Sequence, residues 1–364
     1  MKVLLEKILR FVFLVFDVFL SKKYIVFSSR SAKNYSDNAK FLYEKFLEES
    51  HSNVYFYTKK KSVLKLIPSN GVYAYSLKGV LVLLRARILV FTHGMGDFQP
   101  YFPTKRKNRI FINLFHAIAV KRLNNSLDDK QQASIDLWDY FVVSSDFESQ
   151  FIQYQLNIHK DKILVFGQAR NDILCNVFQK DIISEKKLIL YAPTFRDDSL
   201  TKLFPFQDKN LIGLDQFLEN ENFEIMIRLH LNDEQKYVVD SEYKGLKNIF
   251  FTGSDKIPSI NDHLRNVDIL ITDYSSISLD FLLLDKPIGY IIYDFDEYNF
   301  KRGFSFDFHK HIAGPILSTQ FDFQNLLLDE KDSFSTKRKL LKDKFHKYQD
   351  GSSANKLFQF ITKL

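Results

Sequence analysis

Cysteine is almost absent from the 364 residues: Cys175 stands alone, so the chain can form no internal disulfide, no Cys-x-x-Cys redox pair and no zinc knuckle. A reducing, cytosolic setting suits such a chain. Glycine and proline are scarce too, at 12 and 8, which excludes collagen-like and low-complexity classes. Long apolar runs are also missing. The most apolar stretch, residues 3–20, is interrupted by Glu6, Lys7, Arg10 and Asp17, and no small-residue cleavage site follows, so neither a membrane span nor a signal peptide is expected. What remains is ordinary globular usage, 45% apolar and 26% charged, at a length that favours two domains of about 150 residues or more.

Acidic residues are thin in the first third. Residues 1–122 carry 22 Lys/Arg against 7 Asp/Glu, whereas the rest of the chain carries 29 against 37. Within 51–122 the only acid is Asp97. A positive surface of this kind calls for an anionic partner such as nucleic acid, anionic lipid or a phosphorylated acceptor. No nucleic-acid motif accompanies it, and Tyr55, Phe56 and Tyr57 cluster instead of alternating with cations, so nucleic acid is not expected. Residues 1–20 read as an amphipathic helix lying on a membrane surface, with Phe and Leu in the headgroup boundary and Lys7, Arg10, Lys22 and Lys23 on anionic lipid. A first helix packed into the core fits the same pattern.

Short β-branched and aromatic runs alternate with helix-period segments, the pattern of parallel sheets with crossover helices. Strands are expected at 24–28, 54–58, 88–92, 110–114, 140–144 and 163–166, then at 188–191, 224–229, 249–252, 269–272 and 288–293. Helices fit at 38–49, 146–156, 215–219, 259–266 and 276–284, and 337–347 reads as a solvated helix. The polar stretch 181–187 marks a boundary between domains 1–180 and 186–364. Two α/β halves imply a ligand in a cleft at the carboxyl ends of the strands.

Several loops at such ends carry chemistry. Asp273-Tyr274-Ser275-Ser276 closes a strand and opens a helix, offering hydroxyls and free N–H groups to a phosphate; Asp273 would repel a diphosphate if it pointed inward and is expected to orient a loop or hold a ligand hydroxyl. Arg228 and His230 are two apart on a strand end and should share a face, as suits an oxyanion. Gly167 to Asp172 and Tyr191 to Asp197 place Arg170 with Asn171, and Thr194 with Arg196, after two more strands. Gly94-Met95-Gly96 lacks the rest of a dinucleotide loop, and His93 beside it is an acceptor-side candidate. His309-Lys310-His311 has no ligand set to complete a zinc site.

The ordered set Phe115-His116 with Lys121, Gly167 with Arg170-Asn171-Asp172, Tyr191-Ala192-Pro193-Thr194, Arg228-Leu229-His230 and Asp273-Tyr274-Ser275-Ser276 resembles the CDP-glycerol glycerophosphotransferase family. Tyr35-Ser36-Asp37-Asn38, Trp138-Asp139-Tyr140, Asp285-Lys286-Pro287, Tyr293-Asp294, Arg302-Gly303-Phe304 and Asp350-Gly351 extend the match over nearly the whole chain. The resemblance implies a GT-B-like fold, two Rossmann-like domains facing a central cleft. It also implies a metal- and cofactor-independent transferase at the cytoplasmic face of a bacterial plasma membrane. Such an enzyme moves glycerol phosphate or ribitol phosphate from CDP-glycerol or CDP-ribitol to a lipid-linked or polymeric acceptor of the teichoic-acid or capsule type, and releases CMP.

By the same resemblance His116 is the base that deprotonates the acceptor, and His230 is a second catalytic histidine that steadies the diphosphate with Arg228, Ser275, Ser276, Arg170 and Asp273. Thr194, Arg196 and Asn171 line the donor cleft, while Lys121, Lys105, Arg106 and Lys107 face acceptor and membrane. Ala117-Ile118-Ala119 after His116, Gln168-Ala169 before Arg170 and Leu231 after His230 depart from the family pattern, which bears on the polyol and acceptor more than on the reaction type. A GT-B glycosyltransferase using a nucleotide sugar is the alternative, and a non-catalytic polyanion-binding protein a third reading.

Overall fold

In the computed structural model, residues 10–106, 108–123, 127–175, 185–234, 241–257 and 259–364 are described. They form two α/β units, each built on a wholly parallel sheet. Unit 1 comprises Met1–Ala117, Ser126–Asp172 and Lys347–Leu364, and unit 2 comprises Ile118–Asn125 and Ile173–His346.

The seven strands of unit 1 are β1 (Tyr24–Phe27), β2 (Val54–Thr58), β3 (Gly71–Tyr73), β4 (Ala86–Phe91), β5 (Ile110–Asn113), β6 (Tyr140–Val143) and β7 (Ile163–Val165). Their order is 3-2-1-4-5-6-7. A parallel sheet is covered on both faces, so its strands read as continuous apolar runs, as in the buried Ile-Leu-Val-Phe of β4 that follows the exposed Arg87. The helix Asp37–Glu48 turns Ala39, Leu42, Tyr43 and Phe46 onto the sheet at helical spacing. The helix Asp146–Leu156 starts where Ser145 accepts the Glu148 N–H and stops at Asn157 in the left-handed region.

The C-terminal helix, Ser353–Ile361, belongs to unit 1, although the sequence grouped it with the second half. Leu357 and Ile361 are buried in the unit 1 core with Leu42 and Phe46, and Phe358 packs edge-on to Phe46 at 4.8 Å between centroids. Asp172 accepts the Ser353 and Ala354 N–H groups at 3.0 and 2.7 Å. Gly167, at φ +87°, lies so close to Ser353 that a Cβ there would collide with its side chain.

Unit 2 holds β8 (Lys187–Ala192), β9 (Phe223–Ile227), β10 (Ile249–Phe251), β11 (Ile269–Thr272) and β12 (Ile288–Tyr290) in the order 10-9-8-11-12. Lys121 forms an antiparallel bridge with Phe304, and Ser305 N–H donates to the Val120 carbonyl at 2.9 Å, which ties residues 118–123 into this unit. The helix Ser335–Phe345 is not simply solvated. It buries Arg338, Leu341 and Phe345, and Arg338 pairs with Asp332 and, at 3.3 Å, with Asp285. The expected boundary at 181–187 lies largely outside the described residues.

Residues 10–16 are helical, and the segment docks by one face only. Phe13 stacks on Tyr101 at 5.0 Å, and Asp17, four residues on, is fully buried. The Asp17 carboxylate accepts from Arg109 Nη2 at 2.6 Å, Arg109 Nη1 at 2.8 Å and Lys22 Nζ at 2.9 Å. Lys22, expected on lipid, is therefore committed inside the unit. Phe11, Val12, Val15, Phe16, Val18 and Phe19 point outward, Phe19 at 78% exposure. Among the described residues no helix is long and apolar enough to cross a membrane.

Candidate functional site

Both strand orders reverse direction at one point, between β1 and β4 in unit 1 and between β8 and β11 in unit 2. In open parallel sheets, the carboxyl ends flanking that point are where ligands bind. Asp37, His93, Thr194 and Ser275 follow the flanking strands β1, β4, β8 and β11, and His116 and Arg228 follow the next strands out, β5 and β9.

In unit 1, β5 ends at Asn113, whose Oδ1 accepts the Phe115 N–H at 2.8 Å and folds the chain over. Phe115 takes φ +53° to do so, and His116 follows with the Phe115 ring edge-on at 4.5 Å. His116 Nδ1 faces the Thr92 carbonyl at 3.4 Å. A carbonyl only accepts, so this contact assigns the proton to Nδ1 and leaves Nε2 with its lone pair. Burial, reinforced by the neighbouring His93, holds the imidazole well below its ordinary titration range, with Asp37 opposing. The ring is thus a neutral acceptor at pH 7.

Arg170 and Asn171, expected among the donor contacts, are buried in unit 1. Arg170 Nη1 donates to the His116 carbonyl and lies 3.6 Å from Asp37 Oδ1. Asp37 also accepts from Arg30 Nε at 2.7 Å. Burial raises the Asp37 pKa, but Arg30 and Arg170 outweigh it and bring it to about 2. Asn38 binds the set together: its Nδ2 donates to the Phe115 carbonyl at 3.0 Å and its Oδ1 accepts the Arg170 N–H at 3.1 Å. The Asp37-Asn38 pair carried no role in the sequence beyond its place in a motif, because its partners are about 80 and 130 residues away.

In unit 2, Asp273 is 2% exposed and turned toward its own scaffold, not toward a ligand. It accepts the Thr194 N–H at 2.9 Å, the Tyr274 N–H at 2.6 Å and Arg196 Nη1 at 3.0 Å. Arg196 in turn donates Nε and Nη2 to Asp294 at 2.6 and 2.9 Å, and lies 4.9–5.5 Å from the ring centres of Tyr274, Tyr293 and Tyr298. Arg196 is therefore the clasp of the loop after β8, fully engaged by two carboxylates. A pocket of about 420 Å³ opens beside it, with Lys202, Tyr293, Lys301 and Arg302 in its wall.

Arg228 and His230 lie beyond the end of β9, which stops at Ile227, so the two-residue strand rule does not govern them. Arg228 is 9% exposed and donates to the Thr252 carbonyl at 3.2 Å; His230 is exposed, against the Phe195 ring at 5.6 Å. Ser275 and Ser276 are half-buried. The helix they precede, Ile277–Phe281, is only five residues long, so the hydroxyls and N–H groups count for more than any helix dipole.

Lys121 falls in unit 2 rather than on the basic surface of unit 1. Its ammonium lies 5.7 Å from the Tyr298 ring. Burial lowers its pKa to about 8, with Arg302 and Arg196 adding to the shift and Asp273 and Asp197 opposing it. Lys105 is paired with Asp139 and donates to the Arg109 carbonyl at 3.0 Å, and Arg106 lies 3.4 Å from Asp17. Both are partly spoken for within unit 1, and Lys107 lies outside the described residues. Among the described residues no three His, Cys, Asp or Glu side chains are grouped to hold a metal ion.

The sequence profile of the family CDP-Glycerol:Poly(glycerophosphate) glycerophosphotransferase matches residues 10–363. A teichoic acid glycerol-phosphate transferase of Staphylococcus aureus (strain NCTC 8325 / PS 47) is 26% identical, over 94% of this chain and 94% of its own length. A teichoic acid glycerol-phosphate primase of Bacillus subtilis (strain 168) is also 26% identical, over 91% and 90%. Among solved structures, the wall teichoic acid polymerase TagF superposes with a TM-score of 0.78 at 23% identity, covering 96% of this chain and 92% of that one. The fold likeness bears out the GT-B-like reading.

Proposed function

Because the chain belongs to the CDP-glycerol:poly(glycerophosphate) glycerophosphotransferase family, we propose that it transfers glycerol phosphate from CDP-glycerol to a hydroxyl of a teichoic-acid-type polymer or its lipid-linked precursor. The observation that carries the reading is His116, a neutral imidazole past the carboxyl end of β5 with Nδ1 tied to Thr92 and Nε2 left to accept a proton. His116 takes the acceptor hydroxyl proton; the oxygen attacks the phosphorus that bears the polyol, and the bond from that phosphorus to CMP breaks. The negative charge on departing CMP is met by Arg228, His230 and the Ser275 and Ser276 hydroxyls, while Asp273 and Arg196 hold the loop that carries Thr194. Arg170 acts through the His116 carbonyl and Asn171 lies beside it, both on the acceptor side.

Attachment is peripheral, at the cytoplasmic face of the plasma membrane. Supporting this, six apolar side chains between residues 11 and 19 point outward from a segment anchored by Phe13 and Asp17. The test is CMP release by the purified protein from CDP-glycerol and CDP-ribitol separately, with membranes as acceptor and His116→Ala as control. Release that needs acceptor and His116 is expected. Release from neither donor, with turnover of a UDP-sugar instead, would replace this reading with that of a glycosyltransferase.

A further inference from the structure

The imidazole of His93 is not used by the reaction as written, yet it lies flat against that of His116. The ring centroids are 4.0 Å apart and the planes differ by 12°. Thr92 serves both rings: its Oγ1 contacts His93 Nδ1 at 2.8 Å and its carbonyl faces His116 Nδ1 at 3.4 Å. The two Nδ1 edges are thus turned to one residue. The His93 backbone is fixed as firmly as its ring, because Asp97 Oδ2 accepts the Thr92 and His93 N–H groups at 2.9 and 3.1 Å. Asp97 Oδ1 takes the Ser31 N–H at 2.5 Å, locking the loop after β4 to the loop after β1. His93 is a rigid plate, and His116 rests on it.

We propose that His93 is a positioning residue for His116: its ring holds the base in plane, and a proton on His93 silences the base. The proposal rests on the reading of His116 as the base. Two stacked imidazoles at 4.0 Å cannot both carry charge without strong mutual repulsion, so they titrate as a coupled pair. The charged groups facing the pair are Asp37 and Asp97, which favour protonation, and Arg30 and Arg170, which oppose it. Burial lowers both imidazoles, and a charge on His93 lowers His116 in addition. A proton taken by His93 places a charge 4.0 Å from His116 and so prevents that ring from accepting one from the acceptor hydroxyl.

Three variants and a spectroscopic titration test this. His93→Phe keeps the plate and removes the titration: its turnover at pH 8 should stay within about threefold of wild type, and the acid limb of kcat/KM should shift by about half a pH unit or more. His93→Ala removes the plate: kcat should fall about 10- to 100-fold with KM for CDP-glycerol unchanged. Histidine-selective NMR should show His116 titrating as a single independent group in His93→Phe and coupled to His93 in the wild type, a readout that needs neither acceptor nor turnover. An acid limb unmoved in His93→Phe, or His93→Ala with wild-type kcat, overturns the proposal. Full activity in His116→Ala would instead remove the base reading on which it stands.

Discussion

Replacing Asp17 by Ala removes the carboxylate that three cations share, Arg109, Lys22 and Arg106. Arg109 is 1% exposed and cannot reach water, but its guanidinium keeps the carbonyls of Ala86 at 3.1 Å, Thr104 at 2.9 Å and Leu84 at 3.3 Å. Breaking a buried ion pair from one side costs about 3–5 kcal/mol, and the three carbonyls place this case near about 3. The sequence supplies its own reporter: Trp138, the single tryptophan, is buried in unit 1 against Phe141. Urea unfolding followed by Trp138 fluorescence should show the transition of unit 1 moved to lower denaturant in Asp17→Ala with little change in slope. Asp17→Leu combined with Arg109→Met, which removes the buried guanidinium and leaves Lys22 on the Asp17 and Leu84 carbonyls, should recover part of the loss. Vesicle flotation at a urea-free temperature where unit 1 remains folded should fall in parallel, since Asp17 holds residues 10–19 in place. A loss below about 1 kcal/mol in Asp17→Ala, or a double variant no better than the single one, would refute the reasoning.

Lys121, with its pKa near 8, should take up a proton when CDP binds. Calorimetry in buffers of different ionisation enthalpy should show that uptake near pH 8, with affinity falling up to about tenfold per unit above it, and Lys121→Met should abolish the dependence. The same lowered pKa means that unfolded chain binds more protons between about pH 8 and 10.5, so the cost of charging Lys121 is fully present below 8 and relieved on the way to 10.5. His116 is also a base held neutral, so unit 1 should lose stability as pH falls below about 6.5, with a shallower slope in His116→Phe by Trp138 fluorescence. Asp273→Asn should loosen the loop after β8, lowering unit 2 stability by about 1–3 kcal/mol and raising KM for the donor. Leu357→Ala should cost about 2–4 kcal/mol in unit 1, not in unit 2.

Strand positions were legible because buried parallel strands are apolar throughout: β2 and β11 coincide with the runs read at 54–58 and 269–272. The strand β3 was invisible because Gly-Val-Tyr is three residues with no alternation to detect, and the helix Leu77–Leu84 because Leu-Lys-Gly-Val-Leu-Val-Leu-Leu is apolar on nearly every side. The loops carrying His116, Arg228 and Ser275 lie past strand ends as expected, because an apolar run that stops at polar residues marks such an end without knowledge of contacts. What could not be read was membership. Lys121 belongs with Arg196 and Asp273, and residues 353–361 with the helix at 37–48, both through contacts that local pattern does not encode. The exhausted valence of Arg196 was equally hidden, since Asp294 is 98 residues away.

The placement of Ser353–Ile361 in the core of unit 1 has a bearing on how the protein is made. A ribosome delivers the strands of unit 1 first, then all of unit 2, and only afterwards the helix that closes the first core. At about 5–20 residues per second, the exposed seam between Leu42, Phe46 and the sheet waits on the order of 10–40 s for Leu357 and Ile361 to arrive. Unit 2, contiguous from 173 to 346 apart from the short piece 118–125, has no such delay. The first half of the chain to be synthesised is therefore the last to be finished, and nascent chains stalled anywhere before residue 353 should present that apolar seam to chaperones.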